Sequence, residues 1–83
     1  MQVTVLLFGP AAAALQRSRM AVSVSENATC SEVMEQLGAS DPRLRPFLAA
    51  GSGRLAVNHA FAPADRRVSE HDELALIAMV SGG

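Results

Sequence analysis

The sequence is poor in cysteine and contains no tryptophan or tyrosine. Its single cysteine, Cys30, cannot form an internal disulfide, a paired-thiol redox site or a zinc site built from cysteine pairs, which is typical of a reducing compartment. The first residues lack the basic region and apolar core of a signal peptide, and no apolar run approaches the ~20 residues of a membrane-spanning helix. We therefore expect a cytoplasmic protein.

Charge is also scarce, since 7 basic and 8 acidic residues leave a formal net charge of −1. Nucleic acids and anionic membranes attract clustered positive charge, so we expect neither as a partner. All seven basic residues are arginine. Two explanations for the absence of lysine stay open: a compositional bias of the source genome, or protection of an activated acyl group from attack by side-chain amines.

The length of 83 residues fits one domain spanning residues 1–83. A chain of this size buries only roughly 60–65% of the surface that its unfolded form exposes, which leaves no room for a deep catalytic cleft and a lid. His59 and His71 lie in predicted turns without acidic or cysteine partners at ligand spacing. We therefore expect no metal site and no bound cofactor.

Runs of β-branched and large apolar residues predict the strands of a sheet, at 2–8, 20–25, 54–58, 60–62 and 73–79, with a further brief pairing at 66–68. The clearest helix begins at Thr29, because Thr29 and Glu32 fit a capping box and Gly38 stands where a left-handed C-terminal cap is expected. Shorter helical segments are predicted at 11–17 and from Asp41 to residue 48 or 49.

The first and last strands are apolar on both faces, which indicates a pair at the centre of a mixed sheet. Two consecutive strands before the main helix favour antiparallel pairing at the start of the chain. The order of elements predicts an α+β protein with the β-grasp, or ubiquitin-like, arrangement. It has a mixed sheet of four to five strands, one main helix packed across it and short extra helices.

The last four residues, Val80-Ser81-Gly82-Gly83, follow directly on the apolar run of the last strand. Glycine resists ordering, so we expect residues 80–83 to form a slim, flexible tail. Its reactive group is then the carboxylate of Gly83, which we take as the catalytic candidate, with Gly82, Ser81 and Val80 threading into a partner. The alternative is a frayed end with no role.

Several motifs together are similar to one known family. Leu7-Phe8-Gly9 ends the first strand, Val57-Asn58 stands mid-chain, Glu70-His71-Asp72-Glu73 forms an acidic turn, and Val80-Ser81-Gly82-Gly83 ends the sequence. In these motifs the chain resembles the small subunits of molybdopterin synthase, which are β-grasp sulfur carriers related to the thiamine-pathway carrier and, more distantly, to ubiquitin. The terminal Gly-Gly is the most specific of the four.

The resemblance implies a chemistry for Gly83. A ubiquitin-activating-like adenylyltransferase would use ATP to convert the Gly83 carboxylate to an acyl-adenylate. Sulfur from a sulfur donor enzyme would then replace AMP and give a thiocarboxylate. The tail would then enter the large subunit of molybdopterin synthase, in a heterotetramer, and give sulfur to a cyclic pyranopterin precursor. Acid–base and phosphate-binding groups would belong to these partners, so the chain alone is not expected to be catalytic.

Other functions stay open beside this one. Carriers for thiamine or cysteine synthesis share the Gly-Gly end, although the thiamine carrier usually lacks a segment like 41–51. A ubiquitin-like modifier would form isopeptide bonds through Gly83, and a plain interaction module would leave it inert.

The partner interface also has two interpretations. The larger apolar residues either pack in the core or form a docking patch around the tail; these are Phe8, Phe61, Ile77 and Met79. Core packing is favoured for Phe8 and Leu76, while Ile77 and Met79 fit either. Arg66 and Arg67 are typical solvated loop charges that could also steer a partner. The candidate interface residues are Phe8, Ile77, Met79, Arg66 and Arg67. For Cys30, packing in the core is favoured over a reactive thiol at a helix start.

Overall fold

The computed structural model describes residues 1–49 and 51–78. Five strands are present: β1 (Gln2–Leu7), β2 (Arg19–Ser23), β3 (Gly53–Val57), β4 (Ala60–Phe61) and β5 (Leu74–Ala78). Two α-helices, α1 (Gly9–Leu15) and α2 (Cys30–Ser40), and a 3₁₀ helix (Pro42–Phe47) complete the fold. These bounds lie close to the predicted ones, and the β-grasp arrangement is confirmed.

The strands form one mixed sheet in the order β2-β1-β5-β3-β4. Strands β1 and β5 are parallel, with Val5 opposite Leu74 and Leu7 opposite Leu76, while the other three pairings are antiparallel. The predicted pairing of the first and last strands at the centre is therefore confirmed. The parallel pair makes both strands end at the same edge of the sheet.

The core lies on one face of this sheet. Alternate residues of β1 and β5, such as Val3, Val5 and Leu76, are buried against Leu37 of α2 and Leu44 of the 3₁₀ helix. A strand side chain points to the face opposite that of its neighbours, so the other set of residues faces away from the helices. That side of the sheet, which carries Leu6, Ala56, Phe61, Ala75 and Ile77, is called the open face below.

Helix α2 begins as predicted and ends differently. The Thr29 hydroxyl accepts a hydrogen bond from Glu32 N, and Glu32 Oε1 accepts one from Thr29 N at 3.1 Å, which completes the capping box. The expected C-terminal cap at Gly38 is wrong, because the helix continues to Ser40 and Gly38 is buried within it. A Cβ at Gly38 would lie 3.1 Å from Leu48 Cδ1. Glycine thus lets the segment after the 3₁₀ helix pack closely on α2.

Of two further expectations, the described residues confirm one and correct the other. The brief pairing expected at 66–68 is present as a single bridge, between Arg67 and Thr29, beside the start of α2. Phe8 is not a core residue, since it is 50% exposed. In the described part of the chain, no helix has the length and apolar character needed to cross a membrane.

Candidate functional site

Two apolar residues lie on the open face where the central strands end. Phe8 follows β1 with extended backbone angles (φ −134°, ψ 159°), so the alternation of the strand continues through it and its side chain lies on the open face. Ile77 shares this face one position beyond the Leu7–Leu76 pair, and it is half-buried. Residues 79–83 follow β5 directly in sequence. We call the end of the β1–β5 pair, with Phe8 and Ile77, the exit edge.

The open face continues the apolar surface from the exit edge to β4. Ala75 pairs with Ala56, and Ala56 pairs with Phe61, which is 49% exposed. Phe8 and Phe61 are the large hydrophobic residues that remain exposed in the described structure. A small domain that leaves two phenylalanines on one face has a surface suited to a protein partner.

An arginine lies on this apolar surface. Arg54 is exposed on the open face and is paired with Ile77. Its guanidinium carbon lies 4.5 Å from the centroid of the Phe61 ring, a cation–π contact that orients the side chain. The sequence does not single out Arg54, because the contact depends on the hairpin register of β3 and β4.

The predicted interface residues Arg66 and Arg67 lie elsewhere, at the start of α2. Arg66 Nη1 donates to Asp72 Oδ2 at 3.3 Å and to the carbonyl oxygen of Arg67 at 2.7 Å. Arg67 Nη1 donates to the carbonyl oxygen of Asn27 at 2.7 Å. The Arg66 contacts lie within the β4–β5 loop, and the Arg67 contact joins this loop to the turn before α2, so the structure separates both arginines from Phe8 and Ile77.

The acidic turn is also tied into the fold. Asp72 accepts hydrogen bonds from Ser69 N at 2.8 Å and from the side-chain amide of Asn58 at 3.0 Å. The Ser69 bond, followed by the Asn58 amide and Arg66, holds the pKa of Asp72 below its usual range. Asp72 is therefore an ionised structural group rather than a proton donor near neutral pH.

Cys30 is a core residue, as favoured from the sequence. It is 2% exposed, and its backbone N donates to the carbonyl oxygen of Arg66 at 2.9 Å. Burial is the main cause of a raised pKa for the thiol. The alternative of a thiol activated by the helix start is therefore wrong.

The remaining polar groups of the described residues are spread over the surface. His59 and His71 are exposed and face Glu73 and Glu70 at 3.0 and 3.8 Å. Within residues 1–49 and 51–78, no group of three or more histidine, cysteine, aspartate or glutamate residues could hold a metal ion. A cleft of about 670 Å³ lies beside α2 and the 3₁₀ helix, where Ser31, Glu35 and Arg45 are its polar side chains.

The remaining candidates, Met79, Val80, Ser81, Gly82 and Gly83, lie outside the described residues. They are, however, covered by a comparison with protein-family models. The model described as the ThiS family matches residues 5–83. The chain belongs to the ThiS family.

Two kinds of protein are found among the solved structures that are similar to this ThiS family member. The crystal structure of SAMP1, small archaeal modifier protein 1, from Haloferax volcanii is similar with a TM-score of 0.82 and 27% identity, covering 100% of both chains. A putative molybdopterin converting factor subunit 1 from Pyrococcus furiosus has a TM-score of 0.80 and 14% identity, covering 96% of this chain and 99% of that one.

A third similar structure is a complex of two different proteins. The complex of subunits 1 and 2 of the molybdopterin-converting factor from Helicobacter pylori includes a similar chain, with a TM-score of 0.65, 21% identity and full coverage of both chains. Likeness at 14% and 21% identity concerns the fold alone. Curated protein sequences give no significant match.

Proposed function

We propose that this ThiS family member is a sulfur carrier whose Gly83 carboxylate is the reactive group. An adenylyltransferase would join that carboxylate to the α-phosphate of ATP and release pyrophosphate. Sulfide delivered by a donor enzyme would then attack the acyl carbon and displace AMP, which leaves a thiocarboxylate. The chain itself would bind no cofactor, and it would work in the cytoplasm, where ATP and the partner enzymes are present.

One observation carries this proposal: the parallel β1–β5 pair sets exposed Phe8 beside Ile77 at the strand end that residues 79–83 follow. A partner that covers the exit edge would hold the chain next to the residues that its active site must receive. Met79, at the junction, would add to the contact, and Val80, Ser81 and Gly82 would thread into the active site. Glycine suits a narrow channel because it has no Cβ.

For the sulfur acceptor we propose a cyclic pyranopterin precursor of the molybdenum cofactor. The chain would then be the small subunit of molybdopterin synthase, with the large subunit as its partner in a heterotetramer. The resemblance of the sequence motifs supports this pathway, and the molybdopterin-converting factor subunits among the structural neighbours agree with it. Carriers of thiamine or cysteine synthesis remain the alternatives within the family.

A second candidate function is protein modification. SAMP1 of Haloferax volcanii, a small archaeal modifier protein, is similar over the whole chain at 27% identity. A modifier would begin with the same acyl-adenylate but would transfer Gly83 to an amine of another protein. The two functions therefore share the activation step and differ in the group that attacks the acyl carbon.

Intact mass measurement separates them. The purified protein is incubated with the adenylyltransferase of its source organism, ATP and a sulfur donor. Exchange of one oxygen for one sulfur supports a carrier, whereas covalent adducts with other proteins support a modifier. An unchanged mass in the presence of active enzymes contradicts both.

A shortened variant locates the reactive group. Deletion of Gly83 is expected to abolish sulfur loading while the thermal unfolding temperature stays the same. A matched control, Gly51→Ala, changes a glycine far from the tail in sequence and should still be loaded. Sulfur loading of the deletion variant would place the reactive group elsewhere.

A further inference from the structure

Positive charge borders the open face on two sides. Arg19 of β2 is exposed and pairs with Leu6, and Arg54 of β3 is exposed and pairs with Ile77. In the sheet order β2-β1-β5-β3, the two central strands lie between these arginines, which places them about 14 Å apart across the sheet. The apolar residues of the exit edge lie between the two charges.

Neither arginine is neutralised by the described residues. The ion pairs found there involve Arg43, His59, Arg66 and His71, and no carboxylate of the described residues lies within 4.0 Å of Arg19 or Arg54. The carboxylate at the end of the open face, Glu73, instead faces His59 at 3.0 Å. It precedes Ile77 by four residues, or about 13 Å along the strand, which exceeds the screening length of ~8 Å at physiological salt.

Arg54 is also held in place before any partner arrives. Its contact with the Phe61 ring, at 4.5 Å, covers one face of the guanidinium with an apolar surface. The N–H groups point outward in the guanidinium plane, where they can form paired hydrogen bonds with a carboxylate. A side chain that is already ordered loses less conformational entropy on binding.

We propose that Arg54 and Arg19 are specificity-determining residues that receive carboxylates of the activating adenylyltransferase, while Phe8 and Ile77 pack against an apolar surface between those carboxylates. This inference rests on the proposed function and names the chemistry of its first partner. The adenylyltransferase is chosen because both candidate functions require activation of Gly83. Charge complementarity is the argument for an acidic partner surface, since the open face offers cations and no nearby anion to match them.

The test is an ATP–pyrophosphate exchange assay with the adenylyltransferase of the source organism, in which the concentration of the carrier is varied. Arg54→Glu is expected to raise the KM for the carrier about tenfold or more, with kcat nearly unchanged, because charge reversal opposes docking and leaves the tail intact. Arg54→Gln should raise the KM less, and Arg54→Lys should fall between Gln and the wild type. Arg19→Glu should also raise it.

A matched control carries the same charge change on the other side of the molecule. Arg45 is exposed in the 3₁₀ helix, so Arg45→Glu should leave the KM unchanged. Raising the ionic strength should increase the KM of the wild type more than that of the double variant Arg19→Glu/Arg54→Glu, because salt screens the proposed ion pairs.

The outcomes separate this inference from the proposed function. If the wild type supports no exchange, the proposed function fails and the inference fails with it. If the wild type is activated but Arg54→Glu and Arg45→Glu have equal KM values, the inference alone is overturned. Sedimentation of the wild type and of the Arg54→Glu variant completes the test. If the wild type is a dimer, Arg54→Glu is a monomer and the two have the same KM, the open face binds a second copy of the chain and the inference is overturned.

Discussion

The side-chain amide of Asn58 donates a 3.0 Å hydrogen bond to Asp72 Oδ1, and the two residues are 14 positions apart. Asn58 has a left-handed backbone (φ 52°) at the turn between β3 and β4, and its Oδ1 accepts a hydrogen bond from Glu73 N at 2.9 Å. One asparagine thus makes the tight turn and joins it to the start of β5.

Replacement of this asparagine tests the link. Asn58→Gly keeps the left-handed backbone accessible but removes both side-chain hydrogen bonds, so we expect a loss of about 1–2 kcal/mol in the free energy of unfolding, measured with urea. Asn27 also has a left-handed backbone (φ 64°) and makes no side-chain hydrogen bond to the described residues. Asn27→Gly should therefore cost far less. Equal losses would show that only the backbone conformation matters.

The lowered pKa of Asp72 predicts an acid-dependent stability. A carboxyl group whose pKa is lower in the folded than in the unfolded state stabilises the fold above the unfolded pKa of about 3.9, and this contribution is lost as the pH falls toward the folded value. Asp72→Asn should be less stable than the wild type near neutral pH, and the two curves should converge below about pH 4. Urea midpoints across the pH range measure this. Glu35→Gln serves as the control, and a constant gap between Asp72→Asn and the wild type down to acid pH would contradict the prediction.

Gly53 and Gly51 differ in how much an added side chain would destabilise the fold. At Gly53 an added Cβ would overlap the carbonyl oxygen of Phe47, so Gly53→Ala should destabilise the fold by about 3 kcal/mol or more. At Gly51 the same Cβ would meet open space, and only the positive φ of 82° opposes it, at a cost of about 1–2 kcal/mol. Thermal and urea unfolding of both variants measure the difference. A larger loss for Gly51→Ala would reverse this assignment.

The capping box of α2 gives a fourth stability test. Thr29→Ala removes the hydroxyl that accepts from Glu32 N at 3.3 Å, and we expect a loss of about 1 kcal/mol. Thr29→Ser keeps the hydroxyl and should change stability by only a few tenths of a kcal/mol. A similar loss in both variants would assign the effect to the methyl group of threonine.

Cys30 should be dispensable for sulfur loading. The thiol is buried and its pKa is raised, so iodoacetamide should label it far more slowly in the folded protein than in urea. Cys30→Ala should still gain sulfur by intact mass, because the proposed reactive group is Gly83. A folded Cys30→Ala protein that cannot be loaded would give the thiol a direct role in sulfur transfer.

The sequence predicts most helices and strands because the residues that determine them lie close together in the chain. Thr29 and Glu32 are three residues apart, and the alternation within each strand needs no knowledge of its neighbours. The cap expected at Gly38 is wrong because the small size of this residue serves a contact with Leu48, ten positions away, and the sequence pattern of a cap looks the same. Phe8 was favoured as a core residue because a strand that is apolar on both faces does not reveal which face the helices cover.

The candidate site depended even more on tertiary structure. Arg66 and Arg67 are as charged as Arg54 in the sequence. Only the fold shows that Arg66 bonds within its own loop, that Arg67 bonds to the turn before α2, and that Arg54 lies against Phe61. The Gly82-Gly83 motif, by contrast, can be recognised from the sequence alone. The surface proposed to contact a partner depends instead on how the strands pair across the sheet, which local sequence patterns do not reveal.

The parallel pairing of β1 and β5 also determines how the domain responds to mechanical force. A partner that draws in the residues after Ala78 pulls β5 along its own axis, away from the start of β1, so the force shears the two strands past each other. Shear loads all the hydrogen bonds between the strands at once, whereas a pull across the strands would open them one after another. The rate of forced unfolding depends on the barrier along this direction. Force applied to the end of β5 along this direction is therefore expected to unfold the domain more slowly than force applied across the strands.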